Sequence, residues 1–568
     1  MNEQHSIGSW NWRKTPLALA ILATLPGTMV PEAFAASAGP AGPLPNPVGP
    51  EFQVNTYTDG DQDYPAVAMD AAGDFVVAWR SYGQDGDSWG IYAQRYDKMG
   101  APQGAEFQVN TYTTSYQDSA HVAMDAAGDF VIVWDSYGQD GDGSGIYAQR
   151  YTAVGETQGS EFQVNTYTDG DQNFPAVAMN ATGDFVVAWV SYGQDGSGWG
   201  IYAQRYDKTG APQGSEFQVN TYTTGNQYYP AVFPAVAMDA AGDFVVAWTN
   251  HGQDGSLDGI FAQRYDKTGA PQGFEFQVNT YTTSYQNSPA VAMDAAGDFV
   301  VTWMSYGQDG DRWGIYAQRY DKTGAPQGSE FQVNTTTTGD QYYPAVAMDA
   351  AGDFVVAWSY LNTKGEIFVG RGIYAQRYNT AGVPQGSEFR VNTYTDHSQF
   401  NPAVAMDATG DFVVTWQSVY QDGSGDGVFA QRYALNNYNA AFSTPVIRNQ
   451  RTDPPAVPPK PEALAGTFSF DATFCNAHNS AYPLTGLVTQ TVTLTNNNCL
   501  VNRLYGPVGT PPLNPGLQPC GVDSVLDFSV TDGYSDYALA VPECVTVHYQ
   551  IGLQNRKRFS FFVDVKGM

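Results

Sequence analysis

One segment, EFQVN…PAVAMDAAGDFVVAW…QDG…GIYAQRY, first spans Glu51 to Tyr96 and then returns along most of the chain. Its opening Glu-Phe pair stands at Glu51, Glu106, Glu161, Glu216, Glu275, Glu330 and Glu388. These seven copies are separated by 55, 55, 55, 59, 55 and 58 residues. A period of this size marks one supersecondary unit, repeated, that buries its apolar faces only by stacking on its neighbours.

The first unit reads as four strands. Pro65 to Asp70 is small and apolar, with proline at a strand start. Asp70-Ala71-Ala72-Gly73 is a tight turn, with Asp at its first position and Gly free to take positive φ. Phe75 to Trp79 is a continuous apolar run, as expected of a strand covered on both faces. A polar loop from Ser81 to Gly90 leads to a third strand, Ile91 to Tyr96. A second Asp-x-x-Gly turn leads to a fourth, Phe107 to Tyr112. Polarity rises from the first strand to the fourth. That grading fits a propeller blade, whose first strand is crowded at the axis and whose fourth lies outside.

The order of the ends distinguishes a closed ring from an open stack. The chain starts with an unaccompanied fourth strand, Glu51 to Tyr57, and its last repeat ends at Tyr433 after a third strand. The stray first strand therefore completes the last blade. The expected fold is all-β: a seven-bladed β-propeller closed by its N-terminal strand, then a small disulfide-bonded β-sandwich.

The DAAGDFVVAW hairpin with QDG…GIYAQRY resembles a repeat of bacterial secreted and surface propeller proteins. It is similar to the Asp-box and FG-GAP hairpins of other propellers. The resemblance covers Glu51 to Tyr433 and implies the propeller fold. The Asp-box serine and its following threonine are missing here, so it implies no sialidase activity.

The expected organisation is a signal peptide at 1–35, a Gly/Pro leader at 36–50, the propeller at 51–433, a Pro-rich linker at 434–465 and an Ig-like sandwich at 466–568. Arg13 and Lys14 precede the apolar run Leu17 to Leu25, and Ala33-Phe34-Ala35 offers a small-x-small cleavage site. No run approaches the ~18 apolar residues of a membrane span. The four cysteines, Cys475, Cys499, Cys520 and Cys544, all lie in the tail without a C-x-x-C pair. They read as two disulfides of an exported protein, with three connectivities open. Net charge is −31, of which residues 453–568 hold only −3. So acidic a repeat region excludes a nucleic-acid or anionic-membrane partner.

Candidate site residues fall in the loops between strands two and three and between strands four and one, which share one face. Gln-Asp-Gly recurs there. Asp85, Asp87, Asp140, Asp142, Asp195, Asp254, Asp309, Asp311 and Asp422 are candidate Ca²⁺ ligands, Ca²⁺ taking six to eight oxygens in flexible geometry. Turn chemistry is the competing explanation. Trp89, Trp199 and Trp313, with the loop glutamines Gln62, Gln172 and Gln341, are candidate ligand-binding residues, since indole beside amide suits a sugar ring. The same glutamine recurs at Gln117, Gln227, Gln286 and Gln399. The repeated Gln-Arg pair, from Gln94-Arg95 on, is expected to form structural ion pairs with Asp74 and its equivalents. Symmetry is broken by an insertion at Pro230 to Met238 and by a long blade-six loop, Leu361 to Arg371, carrying Lys364.

No histidine stands in a Ser/His/Asp context, and no catalytic residue is assigned. The expected function is a secreted or cell-surface binding protein. It would be adhesin- or lectin-like and multivalent, with a calcium-dependent variant, and would engage a glycan or an extracellular protein surface. The alternatives are a polysaccharide-acting enzyme with its site on the same face, and a purely structural surface protein.

Overall fold

The computed structural model describes residues 45–223, 234–362 and 369–434, and beyond them the backbone of strands between 446 and 567. The signal peptide and most of the leader, Gln227, the start of the blade-four insertion and Lys364 lie outside the described residues. The described residues fall into two compact units, the propeller up to residue 434 in one and the tail strands in the other. Among the described residues no helix is long and apolar enough to cross a membrane.

The repeats form seven four-stranded antiparallel sheets. Blade one runs outward as Gln62–Met69, Phe75–Tyr82, Trp89–Tyr96 and Phe107–Gln108. Inner strands of successive blades lie side by side around the axis. Blade seven consists of Gln399–Met406, Phe412–Val419 and Asp426–Ala434, completed by Asn46–Gln53 from the start of the chain. The expected clasp is therefore present, and it begins earlier than Glu51.

The apolar cores lie between blades. Trp134 of blade two is wholly buried against Ala66, Val76 and Ile91 of blade one. Trp79 of blade one packs in the same way on Ala405, Val413 and Val428 of blade seven. The closing interface is thus built like the others. Each blade also stacks a second-strand phenylalanine on a third-strand tyrosine, as Phe75 does on Tyr96 at 4.9 Å and 12°.

Two details depart from the sequence reading. The outer strand pairs over only two residues, because Asn110 leaves the ladder and replaces it with its side chain. Asn110 Oδ1 accepts the Ile91 N–H at 2.8 Å, beyond the last backbone bond, Val109 N to Ile91 O. Pro65 sits not at a strand start but at a register shift between Asp63 and Ala66, a bulge where a missing N–H costs nothing.

The arginines also differ from expectation. Arg150 reaches the next blade's third-to-fourth turn and donates to Lys208 O at 2.5 Å and Thr209 O at 2.6 Å. Arg95 reaches Val154 O likewise, and Arg432 closes the set on Lys98 O. Asp74 instead accepts the Lys98 N–H at 2.7 Å. The turn carbonyls satisfy the guanidinium, so the expected ion pair does not form.

The blades are tied at the loop face by the repeated glutamate. Glu106 Oε2 accepts Thr56 N at 2.6 Å and Thr56 Oγ1 at 3.0 Å from the preceding blade. Its Oε1 accepts Gln84 Nε2 at 2.6 Å from its own. Glu51 makes the same contacts to Thr393 and Gln421, across 342 and 370 residues of chain.

In the tail, five strands lie in the order Val446–Asp453, Gly466–Cys475, Cys544–Leu553, Cys499–Asn502, Gly516–Cys520. Three others lie in the order Val525–Asp527, Val488–Leu494, Phe561–Gly567. Val446–Asp453 falls in the stretch read as linker, ahead of the proline cluster from Pro454 to Pro461.

Two substitutions test closure. Glu216→Ala should cost about 1–2 kcal/mol, the loss of charge-assisted bonds to an exposed partner, read by urea unfolding. Deleting residues 46–53 should cost more and broaden the transition, because blade seven then has a bare edge. An equal cost for both changes would contradict a closing role for the first strand.

Candidate functional site at the loop face

The predicted glutamines are enclosed in the propeller wall. Gln62, Gln172 and Gln341 are fully buried. Their Oε1 atoms accept Asn55, Asn165 and Asn334 Nδ2 of the preceding blade at 3.0–3.1 Å. Gln62 Nε2 also donates to Asp59 O at 3.1 Å. Both ends of the amide are engaged by the frame, which gives these residues a joining place between blades.

The Gln-Asp-Gly aspartates order their own loops. Asp195 Oδ1 accepts Ser197 N at 2.9 Å, and Asp85, Asp140, Asp254, Asp309 and Asp422 do the same two residues on. The second oxygen turns inward over the third strand. A Cβ on Gly90 would meet Asp85 Oδ2 at 2.7 Å, so a larger residue there would displace that carboxylate. Asp87, Asp142 and Asp311 reach the following loop, accepting Ser115, Gly170 and Gly339 N at 2.9–3.1 Å. Among the described residues no group of three or more His, Cys, Asp or Glu is placed to hold a metal ion.

Trp89, Trp199 and Trp313 are half-buried, each edge-on to a tyrosine at 5.2 Å: Tyr82, Tyr192 and Tyr306. The tyrosine is the exposed partner. Tyr82, Tyr137, Tyr192, Tyr306 and Tyr420 are 40–56 % exposed. Tyr137 stacks on Tyr116 at 5.0 Å, and Tyr420 stands edge-on to His397 at 5.3 Å. In blade four His251 takes the tyrosine's place, its Nδ1 at 2.8 Å from Asp258. The result is a rim of braced rings. Its sequence signal is the tyrosine before Gly-Gln-Asp-Gly in blades one, two, three and five, and in blade seven Tyr420 directly before Gln-Asp-Gly.

The channel mouth on this face breaks the symmetry. The residue after the core tryptophan is Arg80, Asp135, Val190, Thr249, Met304, Ser359 and Gln417 in blades one to seven. Each follows a nearly constant apolar run, and this variation was the available signal. Above them the inner-strand bulge puts Tyr64, Ser119, Phe174, Ser288, Tyr343 and Asn401 at φ of 51–55°, a conformation costly for non-glycine residues.

Arg80 anchors one side of the mouth. Its guanidinium meets Asp63 and Asp118 at 2.6 Å each. It lies over the rings of Tyr64 and Trp89 at 4.4 and 4.1 Å. Asp135 accepts Phe174 N at 3.3 Å. Burial, then the charge of Asp118, pushes its carboxyl up to about 7. Gln417 Oε1 accepts Tyr64 N at 3.3 Å and Asn401 Nδ2 at 2.7 Å, and its Nε2 donates to Asp426 at 2.9 Å. Burial, then Asp61 and Asp63, raises Asp426 to about 6. Asp63, Asp118 and Asp135 thus gather around one guanidinium, with Asp61 and Asp426 beside Asp63.

These shifts set a pH dependence. Unfolded aspartates titrate near 4, so between about pH 4 and 7 the folded chain holds the extra protons. Their contribution to stability is present at the acid end and lost as pH rises through 6 to 7. Asp135→Asn should therefore gain on the parent protein from pH 5 to pH 8 in urea midpoints. Parallel profiles would contradict the burial of this carboxyl.

No family model matches the chain, and no curated protein matches it. Among solved structures it is similar to a protein of unknown function from Dyadobacter fermentans DSM 18053, at 12 % identity and a TM-score of 0.41, covering 68 % of this chain and 98 % of that one. It is similar to the Penicillium chrysogenum α-L-arabinanase complexed with arabinobiose, at 11 % identity and 0.38, covering 67 % and 98 %. It is also similar to polysaccharide lyase Uly1, at 10 % identity and 0.41, covering 71 % and 94 %.

Proposed function

We propose that this chain is a secreted, multivalent carbohydrate-binding protein whose ligand lies across the loop face of the propeller. The observation that carries this reading is the rim of exposed tyrosines, each braced by a second ring or set beside one. A braced aromatic loses little freedom on binding and offers a flat apolar face to the C–H side of a sugar ring. Several equivalent faces on one rigid ring give avidity from individually weak sites. The opposite end of the channel offers no such variety. There the last inner-strand residue is methionine in every blade, followed by the aspartate (asparagine in blade three) of the turn.

Calcium has a place in this reading. In blades one and three the loop keeps two buried oxygens without a hydrogen-bond partner, Gln84 Oε1 with Asp85 Oδ2, and Gln194 Oε1 with Asp195 Oδ2. Orphaned acceptors of this kind suit a hard cation. A melting scan should then shift upward by several degrees in calcium relative to chelator. Coincident scans would remove the cation from the account.

A second reading, cleavage of the bound glycan, is favoured by one observation. The mouth holds carboxyls raised to about 7 and about 6 beside others near Arg80. Carboxyls with separated affinities for a proton are what acid–base chemistry at a glycosidic bond needs.

Affinity electrophoresis in a panel of soluble polysaccharides tests the binding reading. Each of Tyr82→Ala, Tyr192→Ala and Tyr306→Ala should weaken retardation by about fivefold, near 1 kcal/mol per lost ring contact, and the triple variant should run unretarded. Full retardation of the triple variant would refute the rim. New reducing ends in the same gels, lost in Asp426→Asn, would support the second reading.

A further inference from the structure

Strand register in the tail sets its four cysteines in two facing pairs. Cys475 ends Gly466–Cys475 and stands directly opposite Cys544, the first residue of Cys544–Leu553. Cys499 opens Cys499–Asn502 and stands directly opposite Cys520, the last residue of Gly516–Cys520. Directly opposed residues of an antiparallel pair have Cα atoms about 4.5 or 5.5 Å apart. A disulfide spans Cα separations of about 4.4–6.8 Å. From this juxtaposition we propose that the chain carries two disulfides, Cys475–Cys544 and Cys499–Cys520.

The same sheet argues against the other two connectivities. Cys499 is also opposite Gly552 on Cys544–Leu553, eight residues beyond Cys544. At ~3.4 Å per residue the two positions are about 27 Å apart along that strand. One pair of cysteines therefore sits at each end of the sheet. Any bond joining a member of one pair to a member of the other would need to cross about four times the reach of a disulfide.

Each bond forms by oxidation. Two thiols release two protons and two electrons, and a disulfide-bearing oxidant takes them up and leaves as two thiols. Such oxidants act in the compartments that exported proteins enter. Both bonds join neighbours within one five-stranded sheet. This differs from the immunoglobulin pattern, in which the disulfide ties two sheets across a core. One bond fastens Gly466–Cys475 to the central strand, and the other closes the outer hairpin.

Peptide mapping tests the pairing. The full chain is produced in an oxidising compartment and purified without reductant. It is then alkylated under denaturing conditions and digested with pepsin at acid pH, where thiolates are too scarce to exchange. Two linked products are expected, one holding Cys475 with Cys544 and one holding Cys499 with Cys520. Cys475→Ser with Cys544→Ser should leave the second product intact. Products joining Cys475 to Cys499 or Cys520, or four alkylated cysteines, would overturn the proposal.

Discussion

A carboxylate shared between neighbours holds this ring together at its loop face. The glutamate that opens each repeat accepts a backbone N–H and a hydroxyl from the blade before it. In all but one blade it also accepts the amide of its own Gln-Asp-Gly loop. Blade six has lost that loop motif, and there the Thr336 hydroxyl donates to Glu388 in place of the glutamine. Beneath the carboxylate, the asparagine of the same segment caps the third strand and binds the next blade's glutamine. Register and loop position are set by one short peptide, EFQVNT. Its first copy can therefore lie far in sequence from the blade it completes.

The uniformity of these ties explains where function is free to arise. The core tryptophans, the turn aspartates and the arginine-to-turn bonds recur from blade to blade because each satisfies a burial or hydrogen-bonding demand of the ring. Inside the ring, differences collect in the bulge residues and at the position after the core tryptophan. Arg80, Asp135 and Gln417 occupy that last position in blades one, two and seven. They convert a sevenfold scaffold into a mouth with one polar, acidic side.

The architecture was legible in the sequence because it is carried by period and polarity. Seven Glu-Phe pairs and a stray fourth strand specify seven blades and their closure without any coordinates. The loop glutamines were harder to place. Gln62 looks like a ligand contact by composition, and only its approach to Asn55 shows it joining two blades. Arg95 was matched to Asp74 by charge alone, whereas the turn carbonyls of the next blade lie within reach. The rim tyrosines stand beside larger indoles in the sequence, and only their exposure sets them apart. The mouth cluster was hidden for a different reason. Its members occupy one equivalent position in different blades, or facing strands, and no short motif contains them.

Hydrogen–deuterium exchange of the whole chain, with and without a retained polysaccharide, tests most directly whether the loop face is the working surface. The account predicts protection confined to the second-to-third strand loops and to the inner-strand bulges over the mouth. The turns after the inner-strand methionines should remain unchanged. Protection at those turns, or none on the loop face despite measured binding, would contradict it.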